Sequence, residues 1–238
     1  MKHTIFTGAA VAITTPFNLD GSINFEGLGD NIDYQLDNGT DAIVICGTTG
    51  ESSTMSDEEH RACIEFAVKH TNHRVPVIAG TGSNDTRYAI ELSVEAERLG
   101  ADGLLLVTPY YNKTTQSGLV NHFTIIANSV NIPIILYNIP GRTGLNISVE
   151  TLDKLSNHKN IVAVKEASGN INYAAQVIAT CGDKLDVYSG NDDMIVPIMS
   201  IGGKGVISVL SNILPKETHE SAQLCLDNDF QKAGKLQI

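Results

Sequence analysis

Lys165 closes an apolar run, Ile161-Val162-Ala163-Val164-Lys165-Glu166, and a lysine in that position has chemical use. Burial disfavours the charged ammonium and lowers the amine's pKa. A neutral amine is a nucleophile that forms a Schiff base with a ketone. The ordinary alternative is a lysine that snorkels to solvent or pairs with Glu166. Lys113, Lys154, Lys159 and Lys184 lie in polar stretches and read as solvated. Tyr137 closes a second apolar run, Ile134-Ile135-Leu136-Tyr137, where a phenol can relay protons to an imine carbon or pack as a rim aromatic. Arg142 follows the turn-forming Pro140-Gly141 pair, and its guanidinium offers a two-pronged fork for a carboxylate. Gly47-Thr48-Thr49-Gly50-Glu51 follows a third apolar run, and its N–H groups and hydroxyls suit an anion. Tyr110 and Tyr111 follow a fourth, as pocket, interface or packing residues.

These residues need elements that bring them to one place. Short apolar runs recur at Ala10–Thr14, Ala42–Ile45, Val75–Ala79, Gly103–Val107, Pro133–Tyr137, Ile161–Lys165, Leu185–Ser189 and Gly205–Val209. Their spacing leaves room for a crossover helix between parallel strands. Ser56 with Glu59 three residues on forms a capping box. Asp85–Leu99 and Gln116–Val130 carry apolar residues at helical spacing. Eight such units fit a closed (β/α)8 TIM barrel or an open doubly wound sheet. No G-x-G-x-x-G follows the first strand, and continuously apolar strands suit a sheet covered on both faces. The expectation is an α/β (β/α)8 barrel forming a single catalytic domain over residues 1–238, with its chemistry where strands end.

Composition narrows the partners. The chain has 238 residues, 42% hydrophobic and 18% charged, close to the roughly 250 residues of one barrel. A net charge of −11 with acids spread along the chain argues against nucleic acid. No apolar stretch approaches the roughly 20 residues of a membrane span. Met1-Lys2-His3-Thr4 begins no long apolar region, so no secretory leader is expected. Cys46, Cys63, Cys181 and Cys225 are too far apart in sequence for a zinc or redox motif, so a reduced cytoplasmic protein is expected. None of the seven histidines closes a strand, so no metal site is expected, and no cofactor is called for. Together the set favours lysine-dependent carbonyl chemistry on a keto acid.

Six stretches taken in order resemble the dihydrodipicolinate synthase family, within the pyruvate-dependent class I aldolase and N-acetylneuraminate lyase superfamily. They are Gly47-Thr48-Thr49-Gly50-Glu51, Val107-Thr108-Pro109-Tyr110-Tyr111-Asn112, Tyr137-Asn138-Ile139-Pro140-Gly141-Arg142-Thr143, Val164-Lys165-Glu166-Ala167-Ser168-Gly169, Ser189-Gly190-Asn191-Asp192-Asp193 and Gly205-Val206-Ile207-Ser208. The resemblance implies a lyase of diaminopimelate and lysine biosynthesis. In that reaction pyruvate forms an imine and then an enamine on Lys165. The enamine adds to L-aspartate-4-semialdehyde, and cyclisation gives (2S,4S)-4-hydroxy-2,3,4,5-tetrahydrodipicolinate. It further implies a proton relay of Tyr137, Thr48 and Tyr111, with Tyr111 from a neighbouring subunit of a homodimer or homotetramer. Thr48 and Thr49 would hold the pyruvate carboxylate, Arg142 the semialdehyde carboxylate, and Gly190 and Ile207 the pocket wall through their backbones.

Sister aldolases for N-acetylneuraminate or keto-deoxy-sugar acids share the lysine, the tyrosine and the Gly-rich loop. Arg142 and Glu166 favour the synthase, since an arginine at the mouth suits a short anionic substrate. The family carries further C-terminal helices after its barrel, and this chain ends soon after the eighth strand, so that extension is expected to be largely missing. A folded but inactive pyruvate-binding remnant is the alternative this raises. Ser52, His60, Asn84 and Tyr110 match the family's regulatory lysine site. Tyr88 and Asp57 depart from it where a glutamate and a histidine are usual. A lost carboxylate removes a charge-assisted bond of about 1.5–3 kcal/mol, so weak or absent inhibition by lysine is expected.

Overall fold

The computed structural model describes residues 4–238, so the reading of the amino terminus falls largely on Met1–His3, outside the described residues. Eight strands run β1 Gly8–Ala12, β2 Ala42–Ile45, β3 Val77–Gly80, β4 Gly103–Val107, β5 Ile134–Asn138, β6 Ile161–Glu166, β7 Asp186–Ser189 and β8 Gly205–Ser208. All neighbours pair in parallel, and β8 returns to β1 to close the barrel. The helices are α1 Phe25–Asp37, α2 Asp57–Thr71, α3 Thr86–Arg98, α4 Gln116–Asn128, α5 Pro140–Thr143, α6 Val149–Leu155, α7 Ile171–Cys181, α8 Ile195–Ser200, α9 Pro215–Leu226 and α10 Phe230–Gln237. Among the described residues no helix is long and apolar enough to cross a membrane.

The local chemistry explains the element ends. The Ser56 hydroxyl accepts from Glu59 N at 3.3 Å, and the Glu59 carboxylate accepts from Ser56 N at 2.8 Å, so the capping box starts α2. The Asp85 carboxylate accepts from Arg87 N and starts α3. The first strand begins two residues before the expected Ala10. Gly8 pairs with Gly205, and a Cβ on Gly205 would lie 2.0 Å from the Gly8 carbonyl oxygen. Two glycines let those backbones meet; Gly205 opens β8 as expected, and its pairing with Gly8 draws the start of β1 back to that residue. The Pro140-Gly141 turn is also more ordered than expected: it opens the one-turn helix α5 that carries Arg142.

Strand alternation divides the core into two layers. Val11, Ile43, Leu104, Leu136, Val164 and Val187 face the helices. Ala10, Ala12, Val44, Ile78, Leu105, Ile135, Tyr137, Ala163, Tyr188 and Ile207 fill the barrel interior. Phe6 plugs the floor, its ring stacked on Tyr188 at 4.3 Å, and the Tyr188 hydroxyl donates to the Phe6 carbonyl at 2.7 Å. Small residues at the upper tips, Ala12, Val44 and Gly190, leave the mouth unfilled. That is where Lys165 emerges.

Candidate active site

A cavity of ≈460 Å³ opens at the carboxyl ends of the strands, as expected for a barrel. Thr48 and Thr49 from the β2 loop, Tyr137 from β5, Arg142 from α5, Lys165 from β6 and Gly190 after β7 all line it. Six expected residues from five separate segments therefore meet in one place. Tyr137 and Lys165 are register partners on adjacent strands. Lys165 Nζ lies 4.5 Å from the centre of the Tyr137 ring. Gly190 leaves space for the lysine stem: a Cβ there would sit 3.1 Å from Lys165 Cε and Cγ, and 2.7 Å from Ala167 Cβ.

Lys165 is 4% exposed. Desolvation brings its amine down to about 8; Asp192 opposes that fall, and Arg142 adds to it. The free amine is thereby accessible near neutral pH. Burial pushes the Tyr137 phenol up, so the ring keeps its proton and can hand it over at the imine carbon. Arg142 is exposed at the rim, its charge turned toward the mouth.

The dihydrodipicolinate synthetase family sequence profile matches residues 5–238. This chain belongs to that family. It is 56% identical over 238 residues to the 4-hydroxy-tetrahydrodipicolinate synthase of Acetivibrio thermocellus, covering 100% of this chain and 80% of the relative. Identity to the synthase of Lachnoclostridium phytofermentans is 58% over 235 residues, covering 98% and 80%. The chloride-inhibited dihydrodipicolinate synthase of Acinetobacter baumannii complexed with pyruvate superposes with a TM-score of 0.96 at 45% identity, covering 98% and 80%. The first monomeric dihydrodipicolinate synthase variant superposes at 0.96 and 37% identity, covering 98% and 79%.

Three of the family positions lie elsewhere. Tyr111 stands 92% exposed in a left-handed backbone conformation (φ 69°), away from the cavity lining of its own chain. Ile207 is wholly buried in the barrel interior, and its side chain is part of the packing beneath the mouth. Asn84 donates to the Tyr110 carbonyl at 3.2 Å and shapes that loop. Ser52, His60 and Tyr110 do come together, with Tyr88, Thr48 and Arg142, around a neighbouring pocket of ≈380 Å³. There the Tyr88 hydroxyl donates to the Asp57 carboxylate at 2.5 Å, and the phenol's pKa is pushed up to about 12, chiefly by that bond.

Sequence reasoning gave no role to Asp192, which also lines the main cavity. Its carboxylate accepts from the Ser208 hydroxyl at 2.5 Å, from Leu210 N at 2.9 Å and from Val209 N at 3.2 Å. It ties the β7 loop to the β8 loop while facing Lys165 with a negative charge. Its sequence signals were an acidic pair just past a strand end, which reads equally as an exposed turn, and a place in the Ser189–Asp193 stretch shared with the family, which assigned it no role.

Proposed function

We infer that this chain catalyses the 4-hydroxy-tetrahydrodipicolinate synthase reaction in lysine biosynthesis, as a lyase acting through a lysine Schiff base. The observation that carries the reading is one buried lysine, its amine brought down to about 8, opening into a strand-end cavity beside a protonated tyrosine. The match of nearly the whole of this chain to 80% of the length of named synthases supports it.

The chemistry follows from the geometry. The Lys165 amine adds to the C2 carbonyl of pyruvate, and water leaves to give the imine. A proton lost from C3 gives the enamine, whose carbon adds to the aldehyde of L-aspartate-4-semialdehyde. The amino group of that substrate then closes on C2 and releases Lys165. We assign Tyr137 and Thr48 to proton transfer, Thr48 and Thr49 to the pyruvate carboxylate, and Arg142 to the semialdehyde carboxylate. Gly190 gives the lysine room to move between these states. The exposed Tyr111 fits a relay member delivered to the mouth of a second copy, so the working form is a homodimer or homotetramer acting as one catalytic domain per chain in the cytoplasm.

A sister sugar-acid aldolase needs hydroxyl-binding groups along a longer cleft, and the arginine at this rim favours a short anion instead. The test is borohydride trapping with pyruvate, peptide mass spectrometry, and a coupled assay with aspartate semialdehyde. A pyruvate adduct on Lys165 and turnover of the aldehyde are expected. An adduct with no turnover sinks the synthase reading, and folded protein without an adduct sinks the Schiff-base mechanism.

A further inference from the structure

Behind the reactive face of β5 and β6 lies a buried polar pair that the mechanism does not use. Strand alternation turns Tyr137 and Lys165 into the barrel and their neighbours Asn138 and Glu166 outward. Asn138 is 0% exposed and Glu166 2%. The Asn138 amide donates to the Glu166 carboxylate at 2.7 Å and to Asn146 Oδ1 at 2.9 Å. Asn138 Oδ1 accepts from Ile147 N at 3.0 Å. The second Glu166 oxygen accepts from Ser168 N at 2.6 Å. Both carboxylate oxygens thus face N–H donors, so the arrangement is built for the ionised form. Burial pushes that carboxyl up, while Asn138 and Ser168 pull it back.

These bonds close a loop. Residues 139–147 leave the tip of β5, carry Arg142 on α5, and return to the side chain of Asn138, one residue before the loop begins. The return end is held from outside as well, where the Tyr173 hydroxyl donates to the Ile147 carbonyl. The segment that carries the arginine is thereby tied, through Asn138, to the strand that carries the lysine.

We propose that Asn138 and Glu166 are positioning residues that hold the Arg142 loop over the cavity and so set the binding of the second, carboxylate-bearing substrate. The proposal rests on the assignment of Arg142 to that carboxylate. Glu166→Gln presents an NH2 to an N–H donor and breaks one bond; Asn138→Asp sets two carboxylates against each other. The double substitution reverses the pair, with an amide at position 166 donating to a carboxylate at position 138, at unchanged net charge. Asn146→Ala removes only the half-buried tie at the loop's end.

The experiment measures KM for aspartate semialdehyde, kcat, and the rate of borohydride trapping with pyruvate in each variant. Each single variant is expected to raise KM for the aldehyde about tenfold, a loss of about 1.4 kcal/mol. Trapping at Lys165 is expected to stay within about twofold of the wild type. The reversed double variant recovers most of the lost KM. An unchanged KM overturns the proposal. So does a parallel fall in trapping and aldehyde binding, or a double variant no better than either single. Should the buried variants fail to fold, Asn146→Ala decides by the same split. Wild-type protein that traps pyruvate yet ignores the aldehyde overturns the synthase reading together with this one.

Discussion

Replacing Lys165 by methionine should stabilise the protein while abolishing its chemistry. The amine sits at about 8 in the fold against 10.5 when free. At pH 7 that leaves about one amine in ten unprotonated, against about one in three thousand for an ordinary lysine, a gain of roughly 300-fold in nucleophile. The same shift weakens the fold. Below pH 8 both the folded and unfolded chains carry the proton, and the folded one holds it at a cost of about 3 kcal/mol. Between pH 8 and 10.5 the unfolded chain keeps a proton that the folded chain has released, so stability rises with pH. Above 10.5 the cost is gone. Methionine keeps the length and apolar stem without the charge, and the Asp192 carboxylate left behind still has its Ser208, Val209 and Leu210 donors. Lys165→Met is therefore expected to gain about 3 kcal/mol at pH 7, a rise in Tm of roughly 6–12 °C for a chain of this size. The gain should shrink toward zero by pH 10.5. Matched thermal melts of both proteins at pH 7 and pH 10 check it, because other alkaline groups titrate equally in the two. No stabilisation at pH 7, or the same gain at both pH values, refutes the argument that desolvation activates this lysine.

Gly190→Ala should slow pyruvate trapping at least about tenfold in protein that still folds, because the new methyl meets Ala167 Cβ at 2.7 Å and must displace the lysine stem. A trapping rate equal to wild type would show that the stem has slack. Free L-lysine should inhibit weakly or not at all, since Tyr88, at the wall of the pocket that Ser52, His60 and Tyr110 line, is already bonded to Asp57; submillimolar inhibition in the coupled assay contradicts this. Burial brings His122 down to about 4, and its Nε2 finds no partner among the described residues. The unfolded chain then takes up that proton first, so stability falls as pH drops from 6.5 toward 4. His122→Gln should flatten this slope in urea titrations, and an unchanged slope assigns the acid sensitivity to other groups.

The barrel, and the lysine and tyrosine that it brings to one cavity, were legible for one reason: both depend on short-range pattern. Strands covered on both faces are continuously apolar, so a lysine or tyrosine that ends such a run stands out without any knowledge of the fold. Tyr137 and Lys165 then fall level because consecutive parallel strands in a barrel end at one face. What stayed hidden depends on contacts between distant residues. Asp192 acquires its meaning from Ser208 and the backbone of the next loop, and Glu166 from Asn138, twenty-eight positions away. The strand-end position of Tyr111 was legible, but a relay role for it came only through the family resemblance. An exposed tyrosine in a left-handed turn has the composition of any loop, and the use proposed for it lies in a second copy of the chain. The start of β1 was misjudged because two facing glycines, not apolar side chains, set the closing register.

The two-residue alternation of a strand explains why the lysine and its support sit side by side in sequence. A buried amine near neutrality needs an apolar wall, so polar groups cannot crowd it from inside the barrel without restoring its charge. Asp192 already shows that effect from across the mouth. The next residue on the same strand faces the opposite way and carries no such restriction. Glu166 can therefore accept two strong hydrogen bonds on the far side of the sheet, and behind Tyr137 the Asn138 side chain accepts one from Ile147 N and donates to Glu166 and Asn146. Reactivity comes from the dry inner face and position from the polar outer one. A substitution on the outer face should consequently alter geometry and substrate affinity while leaving the onset pH of imine formation where it was.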